Sequence, residues 1–382
     1  MSVQFPDPAE VAAQQAEAIA ANRFKLIDGP VQRVLRDSPM VNRDDLLAGL
    51  EAFHAERMAK IPSATRYPES PPWVEHTLAV DRELKQRAGL SALELAIYRS
   101  LHHYLTFRGF ARCEPVLTEK CRIAYVPETD HGSAHIKNVD DPPEYHRFSK
   151  TGATRSKPAW RDECITMDGV GSGLHMDEEP EELFPLEPRL MMRHYAQDTP
   201  GAVEFLSRYG QFWGRANIII YDRQRRSVTI EKCAYTQMHV WEPDEHGRSY
   251  VSGMTCRDPE TPIGKHQQRM RDAYAARFGL PDDGSDRAFW AACRKFDAKL
   301  REGIAALGHP AKLSDLVDLF IKPWPEGLNK EGTQYHPQQP LTAYTLEVHM
   351  QLHDQRKYRW WVRDPETLAS RAGPDEYHYP EA

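Results

Sequence analysis

Residues 121–126 read Cys-Arg-Ile-Ala-Tyr-Val, and residues 135–140 read His-Ile-Lys-Asn-Val-Asp. Both runs are rich in β-branched and aromatic residues, which favour strands. The first run ends at Pro127, and the second ends at the Asp-Asp-Pro-Pro of residues 140–143. A short polar link that contains Gly132 joins them, so the pair predicts an antiparallel β-hairpin.

Two further pairs of strand-like runs follow along the chain. Residues 216–221 and 227–230 flank an Asp-Arg-Gln-Arg-Arg turn, and residues 342–349 and 358–362 flank a turn at residues 353–356. Strand pairs that are joined by short turns predict antiparallel sheets rather than βαβ units.

The part of the chain before these strands is predicted to be helical. Residues 8–110 carry Ala- and Glu-rich runs with apolar residues at helical spacing, and Ser91 and Glu94 form a capping-box pattern. We therefore predict an α+β fold, with a helical segment over residues 1–120 and a strand-containing core over residues 121–382.

Composition argues against several classes of protein. The chain of 382 residues has 49 Lys and Arg against 56 Asp and Glu, a net charge of −7, whereas general nucleic-acid binders carry a basic excess. No run approaches the roughly 18 apolar residues that span a bilayer. The N-terminus lacks the basic and apolar regions of a signal peptide, so we expect a cytoplasmic protein with no nucleic-acid or membrane partner.

The spacing of the cysteines argues against a metal site and favours free thiols. The six cysteines include no Cys-x-x-Cys pair, so we expect neither a structural zinc site nor a redox dithiol. We also expect no metal or organic cofactor.

A possible catalytic group spans the first predicted hairpin. Lys137 lies 16 residues after Cys121 and Asp140 lies 19 after it, so a tight hairpin would bring all three close together. A nearby cation favours the thiolate, which is the form that attacks. If Cys121 became the first residue of a processed chain, its α-amine, with a pKa of about 7.7–8.0, would suit the role of base. A carboxylate such as Asp140 would orient that amine.

In these motifs the chain resembles the N-terminal-nucleophile hydrolases of the acyl-coenzyme A:isopenicillin-N acyltransferase group, which is related to the choloylglycine hydrolases. The resemblance covers about residues 100–365. The motifs that carry it, in chain order, are Cys121 to Tyr125, Gly132, residues 137–140, residues 169–174, residues 188–193, residues 200–206, residues 214–222 with 228–231, and residues 342–362.

The resemblance implies a four-layer αββα sandwich and a precursor that cleaves itself between Lys120 and Cys121. Mature Cys121 would attack an amide or an acyl thioester, form an acyl-enzyme, and pass the acyl group to water or to an amine. Asp140 would hold the α-amine, and Lys137 would replace the usual arginine. The implied partner is a small-molecule amide or an acyl-coenzyme A, and the oligomeric state stays open. Residues 1–120 would be a pro-segment or a smaller chain.

The chain departs from the family at the residues that stabilise the oxyanion. Ser252-Gly253-Met254 stands where the family has Asn-His-Phe, so Ser252 and Asn217 are the candidates for this role. Arg356, near the last predicted turn, is the candidate for a second family arginine. Because this asparagine is missing, the chain is also compatible with an alternative: a non-catalytic member of the same fold that acts as a binding protein.

A different class of enzyme is also compatible with the sequence. His175 and Asp177 form a His-x-Asp pair, and His239 follows 64 residues after His175. Two histidines and one carboxylate bind iron in non-haem Fe(II) oxygenases. Arg248 would then bind the carboxylate of 2-oxoglutarate.

Overall fold

The structure is a computed structural model of the whole chain. It describes residues 7–37, 41–60, 72–108, 121–141, 165–171, 196–209, 216–233, 237–252, 256–265, 285–334, 342–364 and 373–378, with residues 268, 367 and 369. The chain divides into two compact units. The first consists of Met1–Pro115, His175–Tyr195 and Glu204–Trp213, and the second of Val116–Leu174, Ala196–Val203 and Gly214–Ala382.

The first unit is helical in its described part. It contains α1 (Pro8–Arg23), a π-helical turn (Phe24–Asp28), α2 (Gly29–Asp37), α3 (Arg43–Lys60), α4 (Pro72–Arg87) and α5 (Ala92–Arg108). The predicted capping box is confirmed at the start of α5, where the Glu94 amide donates to Ser91 Oγ and the Ser91 amide donates to Glu94 Oε2. Buried apolar residues such as Ile19 and Leu84, or Leu46 and Leu101, join the helices in two clusters.

The second unit carries all the described strands. They are β1 (Arg122–Thr129), β2 (Gly132–Asp141), β3 (Ile165–Gly171), β4 (Ala216–Asp222), β5 (Ser227–Cys233), β6 (Gln237–Trp241), β7 (Ser249–Ser252), β8 (Glu331–Gln334), β9 (Thr342–Leu352), β10 (Lys357–Val362) and β11 (Asp375–His378). The helices that follow β3 and β7 are α6 (Thr199–Tyr209), which begins in this unit, α7 (Ser285–Ala306) and α8 (Leu313–Ile321).

These strands form two antiparallel sheets. Sheet A has the order β11-β10-β9-β2-β1-β7, with β8 beside β9, and sheet B has the order β3-β4-β5-β6. All three predicted hairpins form, as β1–β2, β4–β5 and β9–β10. The predicted α+β class with antiparallel sheets is therefore confirmed.

Sheet A lies between sheet B and a helix. The contact between the two sheets is made by Ile123, Tyr125 and Val251 of sheet A with Ile219 and Tyr221 of sheet B. On the other face of sheet A, the Arg122 guanidinium lies 5.0 Å from the centroid of the Phe296 ring on α7. Successive side chains of a strand point to opposite faces, so β1 divides its residues between these two environments. We call the face of sheet A that contacts sheet B the inner face, and the face that contacts α7 the helix face.

The helices α1 to α5 lie within residues 1–120, and all the described strands lie within residues 121–382. In the described part of the chain, no helix is both long and apolar enough to cross a membrane.

Candidate active site

Cys121 lies at the entrance to β1, a strand inside sheet A between β2 and β7. It is half-buried, and it packs against the apolar cluster that joins the two sheets. Its side chain therefore belongs to the inner face.

Lys137 shares this inner face with Cys121. It stands directly opposite Ile123 on β1 and opposite His349 on β9. Cys121 is two residues before Ile123, so Lys137 is its diagonal neighbour across the hairpin, at about 7–8 Å between Cα atoms. A long lysine side chain can span that separation. The structure thus brings this cation and the cysteine to one face, as a hairpin requires.

Asp140 lies on the helix face instead. Its carboxylate is completely buried, and it accepts hydrogen bonds from Asn138 Nδ2 at 2.9 and 3.0 Å and from Arg122 at 3.3 Å. Because Cys121 and Arg122 are consecutive, their side chains point to opposite faces. Asp140 therefore connects to the main chain beside Cys121 rather than to its thiol. The connection is Asn138, whose Oδ1 accepts from the Arg122 amide at 2.5 Å.

Residues distant in sequence hold the other side of this carboxylate. Lys330 Nζ lies 2.6 Å from Asp140 Oδ2, and Thr345 Oγ1 donates to Asp140 Oδ1 at 2.7 Å. Lys330 is completely buried, and its ammonium lies 4.9 Å from the centroid of the Phe296 ring. Sequence analysis did not identify Lys330 or Thr345. The buried charge network, as we call this group, consists of Arg122, Asn138, Asp140, Asp297, Lys330 and Thr345.

The Ser252 hydroxyl bonds to the buried charge network and not to the Cys121 thiol. Ser252 pairs with Arg122 across β1 and β7, so both side chains lie on the helix face. There the Ser252 hydroxyl donates to Asp297 Oδ1, which also accepts from Arg122 at 3.4 Å. Burial raises the pKa of Asp297, and the Arg122 charge partly offsets the rise. The structure therefore does not bring the Ser252 hydroxyl, one of the two oxyanion candidates, to the face of Cys121.

Asn217 approaches from sheet B. Its side chain is buried, and its Nδ2 donates to the main-chain carbonyl of Ser252 at 2.6 Å. Since Ser252 pairs with Arg122, this amide reaches sheet A within one residue of the level of Cys121. Of the two oxyanion candidates, Asn217 is the one on the inner face.

Arg356 lies at the other end of sheet A. It occupies the turn between β9 and β10 with a φ of 49°. The last residue of β9, Leu352, pairs with Ala134, which pairs with Val126 of β1. Four residues of strand, or about 13 Å, separate that level from Arg122. The structure does not bring Arg356 together with Cys121.

A second polar cluster, which sequence analysis missed, continues the inner face away from Cys121. Glu347 Oε2 lies 3.1 Å from His349 Nε2 and accepts from Trp360 Nε1 at 3.0 Å, and His349 Nδ1 contacts the Tyr358 hydroxyl. His349 and Trp360 stand in line with Lys137 across β2, β9 and β10.

The residues of the alternative iron site gain no support. His175 and Asp177 lie outside the described residues. The His239 ring packs at a tilt of 51° against Trp241, with ring centroids 4.3 Å apart. The buried Arg248 guanidinium donates to the carbonyls of Ile304, Leu307 and Gly308 at the end of α7. Those bonds occupy the group that would bind 2-oxoglutarate. Within the described ranges, no three His, Cys, Asp or Glu residues are grouped to hold a metal ion.

Comparison with known proteins adds nothing to this picture. No family model matches the chain, and no curated protein matches it significantly.

Proposed function

We propose that the chain is a cytoplasmic cysteine N-terminal-nucleophile enzyme, an amidohydrolase or acyltransferase that is released by self-cleavage between Lys120 and Cys121. Its sheets and helix α7 would be three layers of an αββα sandwich. The proposal rests chiefly on the position of Cys121. This residue directly precedes an inner strand and faces the other sheet, while the buried charge network holds the main chain beside it.

Self-cleavage needs only the chain and water. The Cys121 thiolate attacks the carbonyl carbon of Lys120, and the peptide C–N bond breaks as the nitrogen gains a proton. This gives a thioester on Cys121 and a new α-amine. Water then hydrolyses the thioester, which leaves a carboxylate on Lys120 and restores the thiol.

Turnover repeats this chemistry on a separate substrate. The α-amine takes the thiol proton, and the thiolate attacks the carbonyl of a small-molecule amide or acyl-coenzyme A. The leaving amine or thiol regains a proton as the acyl-enzyme forms, and water or an acceptor amine removes the acyl group. The positive charge of Lys137 favours the thiolate, and the Asn217 amide is the donor best placed for the oxyanion.

Intact mass spectrometry tests the proposal directly. Wild-type protein is expected as two chains split between Lys120 and Cys121, whereas Cys121→Ala should remain one chain of 43.8 kDa because the nucleophile is absent. Cys256→Ala is the matched control, since Cys256 is another half-buried cysteine of the same unit. It should cleave like wild type.

Two results would count against the proposal. One is a wild-type chain that keeps its full mass, and the other is a Cys121→Ala chain that is still cut at the same bond. The first would favour the non-catalytic relative. One observation is consistent with that alternative: the Ser252 hydroxyl is bonded to Asp297, so Asn217 alone remains as an oxyanion candidate.

A further inference from the structure

We infer that Lys330 is a positioning residue for Cys121, whose buried ammonium fixes Asp140 and, through Asn138, the main chain at the nucleophile. The inference rests on the proposed function and deepens it. It assigns a role to a residue that lies 209 positions after the cysteine, on the opposite face of the sheet.

The position of Lys330 is fixed at both ends. Its amide donates to Thr345 Oγ1 at 2.8 Å, and its carbonyl accepts from the Thr345 amide at 3.0 Å. Its side chain is completely buried, and its ammonium lies against the Phe296 ring and 2.6 Å from Asp140 Oδ2. The Lys330 ammonium therefore has a single well-defined position, in direct contact with the Asp140 carboxylate.

Stability alone does not account for a lysine at this position. Removing an ammonium from water is costly, and apolar residues of similar volume often serve a protein core as well as a buried ion pair does. Lys330, however, contacts one carboxylate oxygen while Thr345 contacts the other. Contacts on both oxygens fix the plane of the Asp140 carboxylate, which an apolar side chain would not do.

An ion pair followed by two hydrogen bonds connects Lys330 to the main chain at the nucleophile. Asp140 accepts from Asn138 Nδ2, and Asn138 Oδ1 accepts from the Arg122 amide. That amide belongs to the peptide bond that follows Cys121. The thiolate can reach the Lys120 carbonyl during self-cleavage only from a suitable orientation, and the same holds for proton transfer from the thiol to the α-amine during turnover. The main-chain direction at Cys121 therefore controls both reactions. Small misplacements of catalytic groups can cost about 100-fold in rate.

Lys330→Met removes the charge and keeps the approximate volume of the side chain. We expect self-cleavage of the variant to be about 10- to 100-fold slower than in wild type. We also expect the pH midpoint for alkylation of Cys121 by iodoacetamide, followed by peptide mass spectrometry, to move upward. A merely structural role would lower the melting temperature but would leave that midpoint unchanged.

Lys357→Met is the matched control. Lys357 belongs to the same sheet, and its Nζ also lies 2.6 Å from a carboxylate, that of the partly exposed Glu376. This variant should cleave and react like wild type. If Lys330→Met also does so, the inference is wrong.

Thr345→Val keeps the test decisive if Lys330→Met does not fold. It removes the second contact on Asp140 and the partner of the Lys330 amide, but it leaves every charge in place. We expect a shift of the alkylation midpoint in the same direction and slower cleavage, by about 3- to 10-fold. An unchanged midpoint in a folded Thr345→Val protein would overturn the inference. A wild-type chain that is not cleaved would overturn the proposed function, and the inference with it.

Discussion

Arg122→Met is expected to lower the free energy of unfolding by about 3–5 kcal/mol, the usual cost of removing one partner from a buried ion pair. The Arg122 side chain is completely buried and bonds both Asp140 at 3.3 Å and Asp297 at 3.4 Å. Without the guanidinium, Lys330 alone would compensate two carboxylates. Urea denaturation followed by circular dichroism measures the loss.

The same substitution at Arg359 provides the comparison. Arg359 also lies in sheet A and pairs with a carboxylate, since its Nε is 2.6 Å from Glu376 Oε1, but the side chains of both residues are partly exposed. Exposed ion pairs contribute about 0–1 kcal/mol, so Arg359→Met should cost little. Equal losses in the two variants would mean that the buried charge network does not form as described.

The cost of Arg122→Met should also depend on pH. Burial already raises the pKa of Asp297, and Arg122 is the main charge that opposes the rise. A raised pKa in the folded state means that the folded protein binds the proton more tightly, so stability increases as the pH falls through that pKa. Removing Arg122 raises this pKa further. The deficit relative to wild type should therefore be smaller at pH 5 than at pH 7.

The sequence was sufficient to predict the three hairpins of the sheets, but neither strand β7 nor the faces on which all the candidates lie. Ile218, Ile219 and Ile220 stand next to a polar turn, so their hairpin follows from local pattern. The shared face of Lys137 and Cys121 follows from the hairpin and from strand alternation. The face on which Ser252 lies could not be predicted from local pattern, because its pairing with Arg122 joins two strands that are far apart in sequence.

The two remaining discrepancies have the same physical origin. Arg356 was the candidate for a second family arginine, but β9 pairs antiparallel with β2, which places the turn that carries Arg356 at the far end of the sheet from Cys121. Lys330 was not singled out, because an isolated lysine is usually solvated. Its burial depends on Asp140, 190 positions earlier, and on the Phe296 ring. Long-range pairing decided both cases, and a single sequence contains no local signal for it.

His353 makes the stability of the second unit depend on pH. Both of its ring nitrogens are buried. Its ring meets Tyr221 edge-on with centroids 5.1 Å apart, and the Tyr125 ring lies 6.1 Å away. Burial lowers the pKa of His353 well below its ordinary value of 6.5, and the charge of the nearby His135 lowers it further. The folded protein therefore holds this imidazole neutral under conditions in which an exposed one would gain a proton.

The direction of the pH effect follows from this difference. Below about pH 6.5 the unfolded chain binds a proton at His353 that the folded chain does not bind, so stability falls as the pH decreases towards the lowered pKa. One such group contributes a slope approaching 1.4 kcal/mol per pH unit, or about 1.3 kcal/mol between pH 7.5 and pH 5.5. Above pH 7.5 the contribution is constant.

His353→Phe should remove this slope while keeping an aromatic ring against Tyr221. The measurement is the free energy of unfolding of wild type and variant at pH 5.5 and 7.5, and the expected change is a pH dependence smaller by about 1.3 kcal/mol. Other groups titrate in the same range, so only the difference between the two proteins reports on His353. His309→Phe, at an exposed histidine of the same unit, is the control and should change the slope less. Equal slopes for wild type and His353→Phe would mean that water reaches this imidazole in the folded state.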